Sequence, residues 1–147
     1  MSDNESALSQ KEARTKAEKL LSGTKTVFLA TNGSHGHPNV RAMMPLVYEG
    51  VETLWFSTSL ESSKIIELVK DNKAAVFGYS QRAKAEFRLW GEIAILDDLV
   101  SRKRIWTDEL KEQFPEGVND PDLRVLRFNV VSGLFTGKDG KNGIFTI

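Results

Sequence analysis

Apolar positions in this chain recur in short blocks, a few with the period of a helix and most with the two-residue period of strands. Ser9-Gln10-Lys11-Glu12 reads as a capping box ahead of a helix with Ala13, Ala17, Leu20 and Leu21 on one face, and Gly23 ends it. Thr26 to Thr31 is a β-branched, apolar strand, and the turn formers from Asn32 to Pro38 predict a hairpin loop after it. Asn39 to Tyr48 alternates, with Asn39, Arg41 and Met43 on one face and Val40, Ala42 and Met44 on the other. Pro45 predicts that this strand ends, bulges or lies at an edge. Thr53 to Thr58 is a third strand that turns from apolar to hydroxyl residues.

From Ser62 or Ser63 the spacing predicts a helix with Ile65, Leu68 and Val69 buried and Asp71-Asn72 at its exit. Strands follow over Ala74 to Tyr79 and Glu86 to Leu96, the second long and carrying Gly91 as a bulge that lets a sheet curl. Asp97-Asp98 caps a helix with Val100, Trp106, Leu110 and Phe114 on its apolar side, and Pro115-Glu116-Gly117 stops it. Leu123 to Phe135 and Ile144 to Ile147 are the last strands, joined by a glycine-rich turn. The order predicts an antiparallel barrel of the α+β class with about six or seven strands and three or so helices.

Composition sets limits on this picture. The 147 residues fit one domain, expected over residues 9–147 after a disordered tail at residues 1–8. Twenty basic and twenty acidic residues cancel, so overall charge steers the chain toward neither nucleic acid nor an anionic membrane. The absence of cysteine excludes disulfides and thiolate metal sites. No apolar run approaches the roughly 20 residues of a membrane helix, and the acidic start lacks a secretory signal, so the expectation is a cytoplasmic protein.

One segment carries candidate chemistry. Arg41 on one strand, Ser57-Thr58 ending the next and Ser62-Ser63-Lys64 opening a helix can converge on one anion. A lysine there is locally unfavourable by about 0.3–1 kcal/mol, because the helix start prefers anions. A phosphate between the cations would reconcile them. The plainer alternative is that Ser63 only caps the helix while Lys64 pairs with Glu61 or Glu67.

In this order the segment resembles the flavin mononucleotide (FMN) segments of the pyridoxamine 5'-phosphate oxidase-like split-barrel family, over roughly Thr24 to Leu96. The resemblance implies a split β-barrel in which Arg41, Ala42, Met43 and Met44 line the flavin. It implies that Ser57 and Thr58 meet the ring or ribityl chain and that Ser63 and Lys64 bind the phosphate. Trp106, Phe114-Pro115-Glu116-Gly117 and Asp120-Pro121 resemble the general stress protein subgroup, which places Trp106 near a dimer cleft. A homodimer with flavin at its interface and an oxidoreductase acting on a small molecule are implied. Alternatives are a flavin-binding stress protein without turnover, or the same barrel holding a deazaflavin or haem. Vitamin B6 oxidases have Ser-Arg-Lys where this chain has Ser62-Ser63-Lys64, and a C-terminal segment with tryptophan and Arg-Leu-x-Pro that has no counterpart here, so true pyridoxamine 5'-phosphate oxidase activity is not expected.

Other candidates carry less. His35 and His37 sit in a hairpin tip with no third ligand nearby, so no metal is expected. Glu86 falls near where the B6 oxidases place an amide beside the flavin ring, but it reads first as an exposed strand-end glutamate. Trp55 and Trp90 read as core or interface aromatics. The basic groups Arg82, Lys84, Arg88 and Arg102-Lys103-Arg104 have acidic neighbours, which argues against nucleic acid. No triad, carboxylate pair or glycine-rich nucleotide loop is present, so any redox chemistry belongs to a cofactor.

Overall fold

A computed structural model describes residues 7–147. Of the tail expected to be disordered, residues 1–6 lie outside the described residues, whereas Ala7 and Leu8 are tied down. Ala7 bridges to Asn142, and the Leu8 amide donates to the Asn142 carbonyl at 2.7 Å. The first helix, α1, spans Gln10–Ser22 with Ser9 and Glu12 forming the reciprocal capping box. Its Ala13, Ala17 and Leu21 are buried, so small residues let the helix lie close against the sheet.

Among the described residues eight strands form the sheet: β1 Val27–Asn32, β2 Pro38–Met43, β3 Val47–Glu49, β4 Thr53–Ser59, β5 Lys73–Ser80, β6 Ala85–Leu96, β7 Leu123–Thr136 and β8 Asn142–Thr146. The count exceeds six or seven because Pro45 divides the expected 39–48 strand into β2 and β3. Their order, β2-β1-β5-β6-β7-β4-β3, is antiparallel and open, with β8 added on β7. This is a split-barrel arrangement of the α+β class. β7 serves both halves, pairing with β4 up to Asn129 and with β8 from Ser132.

The irregularity expected at Gly91 is present, with the extra residue on the partner strand. Gly91 faces Val130 and Trp90 faces Ser132, so Val131 is the unpaired residue. Gly91 is the residue that lets the strands close, since a Cβ there would lie 2.1 Å from the Asn129 carbonyl oxygen.

Two hydrophobic cores result. The larger joins α1 to Leu29, Leu54, Phe56, Phe87, Phe128 and Phe145 between the two faces. The smaller collects Trp55, Ile105, Phe114, Leu123 and Val125, with Trp106 and Leu110 partly buried against it. The helix expected after Asp98 is shorter than the sequence predicts. α3 spans only Leu99–Ile105, Trp106 takes extended backbone angles, and a 3-10 turn runs from Asp108 to Glu112. The β-branched and aromatic Ile105-Trp106-Thr107 favour that break. Val100, expected on the apolar side, is 79% exposed, and Arg102 is buried instead, donating to the carbonyls of Asp97, Val118 and Asp120. Asp120 accepts the amides of Glu116 and Asp122, so the Phe-Pro-x-Gly and Asp-Pro segment is a loop held by its own hydrogen bonds.

Candidate functional site

The second helix, α2, spans Ser63–Lys70 and starts close to the end of β4. Its entry is held by β7's approach: the Leu60 amide donates to the Asp122 carbonyl at 2.8 Å, and the Ser59 hydroxyl donates to the Asp122 carboxylate at 2.7 Å. Ser62 is the cap, its hydroxyl accepting the Lys64 amide at 3.3 Å. Ser63 is therefore the first helical residue rather than the cap, and its hydroxyl has no hydrogen-bond partner among the described residues. Nor does Lys64 pair with Glu61 or Glu67 as the plainer alternative required, since it makes no ion pair among the described residues.

The alternation of β2 holds. Asn39 lies opposite Thr31, Arg41 opposite Leu29 and Met43 opposite Val27, which turns these three toward the inside. Val40 and Met44 point outward and are 67% and 59% exposed. Side chains from Arg41 to Met44 thus divide between two faces. Ser57 and Thr58 divide likewise, Ser57 beside Trp55's face and Thr58 buried on the Phe56 side.

The residue that organises the site was not singled out in the sequence. Glu67, on α2, is buried at 5% exposure, while Val69, expected inside, is 74% exposed. The Glu67 carboxylate accepts from the Thr31 hydroxyl at 2.7 Å, from the Asn39 side-chain amide, and from Arg41 Nη2 at 3.0 Å. Arg41 Nη1 donates to Thr31 Oγ1 at 2.7 Å, closing the cluster. The Thr31 hydrogen bond above all, helped by Asn39 and Arg41, holds the carboxyl below its ordinary range despite its burial.

Burial, and then the charge of Arg41, push the Lys64 ammonium below the usual lysine value, with Glu67 opposing them. Lys64, Arg41 and Glu67 therefore act within one electrostatic field. Two cations against one carboxylate leave one positive charge, together with the Ser63 hydroxyl and amide at the helix start. Chemically this cluster is a cradle suited to an anion. It contains no free general base, because the one carboxylate is engaged by three donors.

The Glu67 shift has a pH consequence. Folded Glu67 binds its proton less readily than in the unfolded chain, so its contribution is complete above the ordinary value of 4.5 and is lost as pH falls through the lower folded value. In urea titrations the stability difference between wild type and Glu67→Gln should shrink progressively as pH drops below about 4.5. A difference constant between pH 7 and pH 3 would contradict this assignment.

Trp106 lies outside the cluster, in the smaller core. Trp55, in the same core, carries the Arg104 guanidinium 5.0 Å from its ring centroid, and Glu49 accepts from both residues. Glu86 pairs with its neighbour Arg88 at 3.3 Å. His35 and His37 are exposed, and among the described residues no group of three or more His, Asp or Glu could hold a metal. No described helix is long and apolar enough to cross a membrane.

Two clefts lie away from the cradle, and a third, of about 230 Å³, reaches it only at Thr31. One of about 410 Å³ and one of about 360 Å³ are lined by α1 and by residues such as Ala83, Ala85 and Phe135, not by Arg41, Ser57 or Lys64. Adjoining the cradle instead is an apolar sheet face. Register places Val40, Ala30, Ala75 and Trp90 in one row and Ala42, Phe28 and Phe77 in the next, with Val40, Phe28 and Trp90 exposed.

Comparison with known proteins gives consistent results. The family model described as Pyridoxamine 5'-phosphate oxidase like matches residues 12–145. A Clostridium acetobutylicum protein related to general stress protein 26 of B. subtilis, of the pyridoxinephosphate oxidase family, is 32% identical. That match covers 95% of this chain and 97% of that one, with a TM-score of 0.83. General stress protein 26 from Bacillus anthracis str. Sterne is 19% identical over 91% and 98% of the chains, with a TM-score of 0.74. A NimC/NimA family protein from Clostridium acetobutylicum is 21% identical over 89% and 92%, with a TM-score of 0.70. These two share the fold. No curated protein matches the sequence.

Proposed function

Since this chain belongs to the pyridoxamine 5'-phosphate oxidase-like family, we propose that it is a cytoplasmic flavoprotein that binds FMN and transfers hydride or electrons to or from a small molecule. The observation that carries the reading is the part-buried Lys64 ammonium, free of any ion pair among the described residues, beside Arg41 and the open Ser63 hydroxyl. A cation pushed below its usual pKa by burial and by a like charge gains most from an anionic ligand. In this reading Lys64 and Ser63 hold the phosphate, while Ala42, Met43 and Met44 run along the flavin beside Arg41. Ser57 and Thr58 border the ring or ribityl chain.

Bound flavin would supply the redox chemistry; the protein binds, orients and shields it. The exposed Val40, Phe28 and Trp90 face, contiguous with β2, supports a homodimer in which each flavin is covered by a second copy, and Trp106 would reach the ring from that copy.

Titration of the purified protein with FMN, followed by visible absorbance and flavin fluorescence, is the direct test. Saturable uptake at micromolar FMN is expected; no uptake would overturn the reading. A flavin-binding role without turnover would use the same phosphate and ring contacts, because hydride transfer to a flavin needs no acid or base from the cradle. Anaerobic mixing of the loaded protein with NADH or NADPH separates the two, because catalytic bleaching of the flavin requires a reductase.

A further inference from the structure

We propose that Glu67 is the internal counter-ion of the anion cradle: it balances Arg41 and Lys64 when no ligand is bound, and it limits how tightly a phosphate is held. The inference rests on the flavin reading for the identity of the ligand, but its physical content concerns any phosphate at Lys64.

The placement of α2 is the first observation. This helix turns Ile66 and Val69 outward, at 62% and 74% exposure, and buries a glutamate instead. Packing alone would favour the reverse, since a buried ion pair is poor value for stability compared with apolar residues of similar volume. The carboxylate is nevertheless fully engaged, by Thr31, Asn39 and Arg41 from the two neighbouring strands. Arg41, in turn, spends Nη1 on Thr31 and the Leu29 carbonyl and Nη2 on Glu67.

The second observation is the neighbouring lysine, which has no carboxylate partner of its own among the described residues. Without Glu67, two part-buried cations would face one another with nothing to offset them. A phosphate would offset them, and so does Glu67. The same carboxylate repels that phosphate once it arrives. Glu67 therefore exchanges ligand affinity for stability of the ligand-free protein, and it weighs only on ligands that carry the phosphate.

Glu67→Gln tests this while keeping the shape. Its amide oxygen can still accept from Thr31 and Arg41, and Asn39 can turn its own amide to accept from the new NH₂ group. The variant should melt at a lower temperature than wild type without ligand, yet bind FMN about tenfold more tightly, with a steeper salt dependence and unchanged riboflavin affinity. Inorganic phosphate should also raise its melting temperature more than that of wild type. Weaker FMN binding, or equal changes for FMN and riboflavin, would overturn the proposal.

The phosphate arm separates the two readings. If neither protein takes up FMN but phosphate still stabilises Glu67→Gln more than wild type, the flavin reading falls and the counter-ion stands. If phosphate stabilises both equally, the counter-ion falls whatever the flavin does. Should Glu67→Gln not fold, Arg41→Gln and Arg41→Gln/Glu67→Gln replace it. The double variant, which keeps Lys64 and loses the carboxylate, should then be stabilised more by phosphate than the single one, and equal stabilisation would overturn the proposal.

Discussion

Gly91→Ala is expected to lower stability by about 3 kcal/mol, at the upper end for overpacking, because nothing at that point can move aside cheaply. The added methyl would lie 2.1 Å from the Asn129 carbonyl oxygen, 2.9 Å from its carbon and 3.0 Å from the Val130 Cα. All three are backbone atoms, so no change of rotamer relieves the overlap. The strands β6 and β7 would have to part where Val131 is extruded and where β7 changes partner from β4 to β8. Gly23→Ala is the control: its methyl would meet only the Leu20 carbonyl, at 3.8 Å, and should be near neutral. Urea midpoints of the two variants measure the difference. A Gly91→Ala midpoint within about 0.5 kcal/mol of wild type would mean that β6 and β7 do not approach this closely.

Local chemistry made much of this fold legible in the sequence. The Ser9–Glu12 capping box, the β2 alternation and a special role for Gly91 are all properties of neighbouring residues, and each is found where its pattern predicts. What failed depended on distant partners. One long helix after Asp98 is a fair reading of its apolar spacing, but Trp106 and Leu110 serve the smaller core better from a broken chain. The α2 helix is amphipathic, with Ile65, Ile66, Leu68 and Val69 on one side, and periodicity selects the Ile65 and Val69 face, whereas the structure buries Glu67 and Leu68 and leaves Ile66 and Val69 exposed. Its orientation is decided by Glu67, whose partners come from β1 and β2.

A signal for that glutamate was nevertheless present. The alternation that turned Asn39, Arg41 and Met43 inward also committed an arginine to the interior, and an arginine there demands a carboxylate. Glu67 is the acidic residue set among the apolar positions of the adjoining helix. The residues of the cluster could thus be read in outline, while its charge balance could not.

The sharpest functional expectation concerns Lys64→Ala. If Lys64 makes a charge-assisted bond to the phosphate, its loss should weaken FMN binding by about 1.5–3 kcal/mol, roughly ten- to a hundredfold or slightly more. Riboflavin, which has the ring and ribityl chain but no phosphate, should bind almost as before. Stability should change little, because Lys64 leaves no ion-pair partner stranded when it is removed. The depressed ammonium pKa adds a second signature: wild type should lose its preference for FMN over riboflavin at a lower pH than an ordinary lysine would dictate. Lys64→Ala should show no such step. Equal losses for the two flavins would assign Lys64 to the fold, whereas a phosphate-specific loss ties the cradle, and with it α2 and Arg41, to recognition of the mononucleotide.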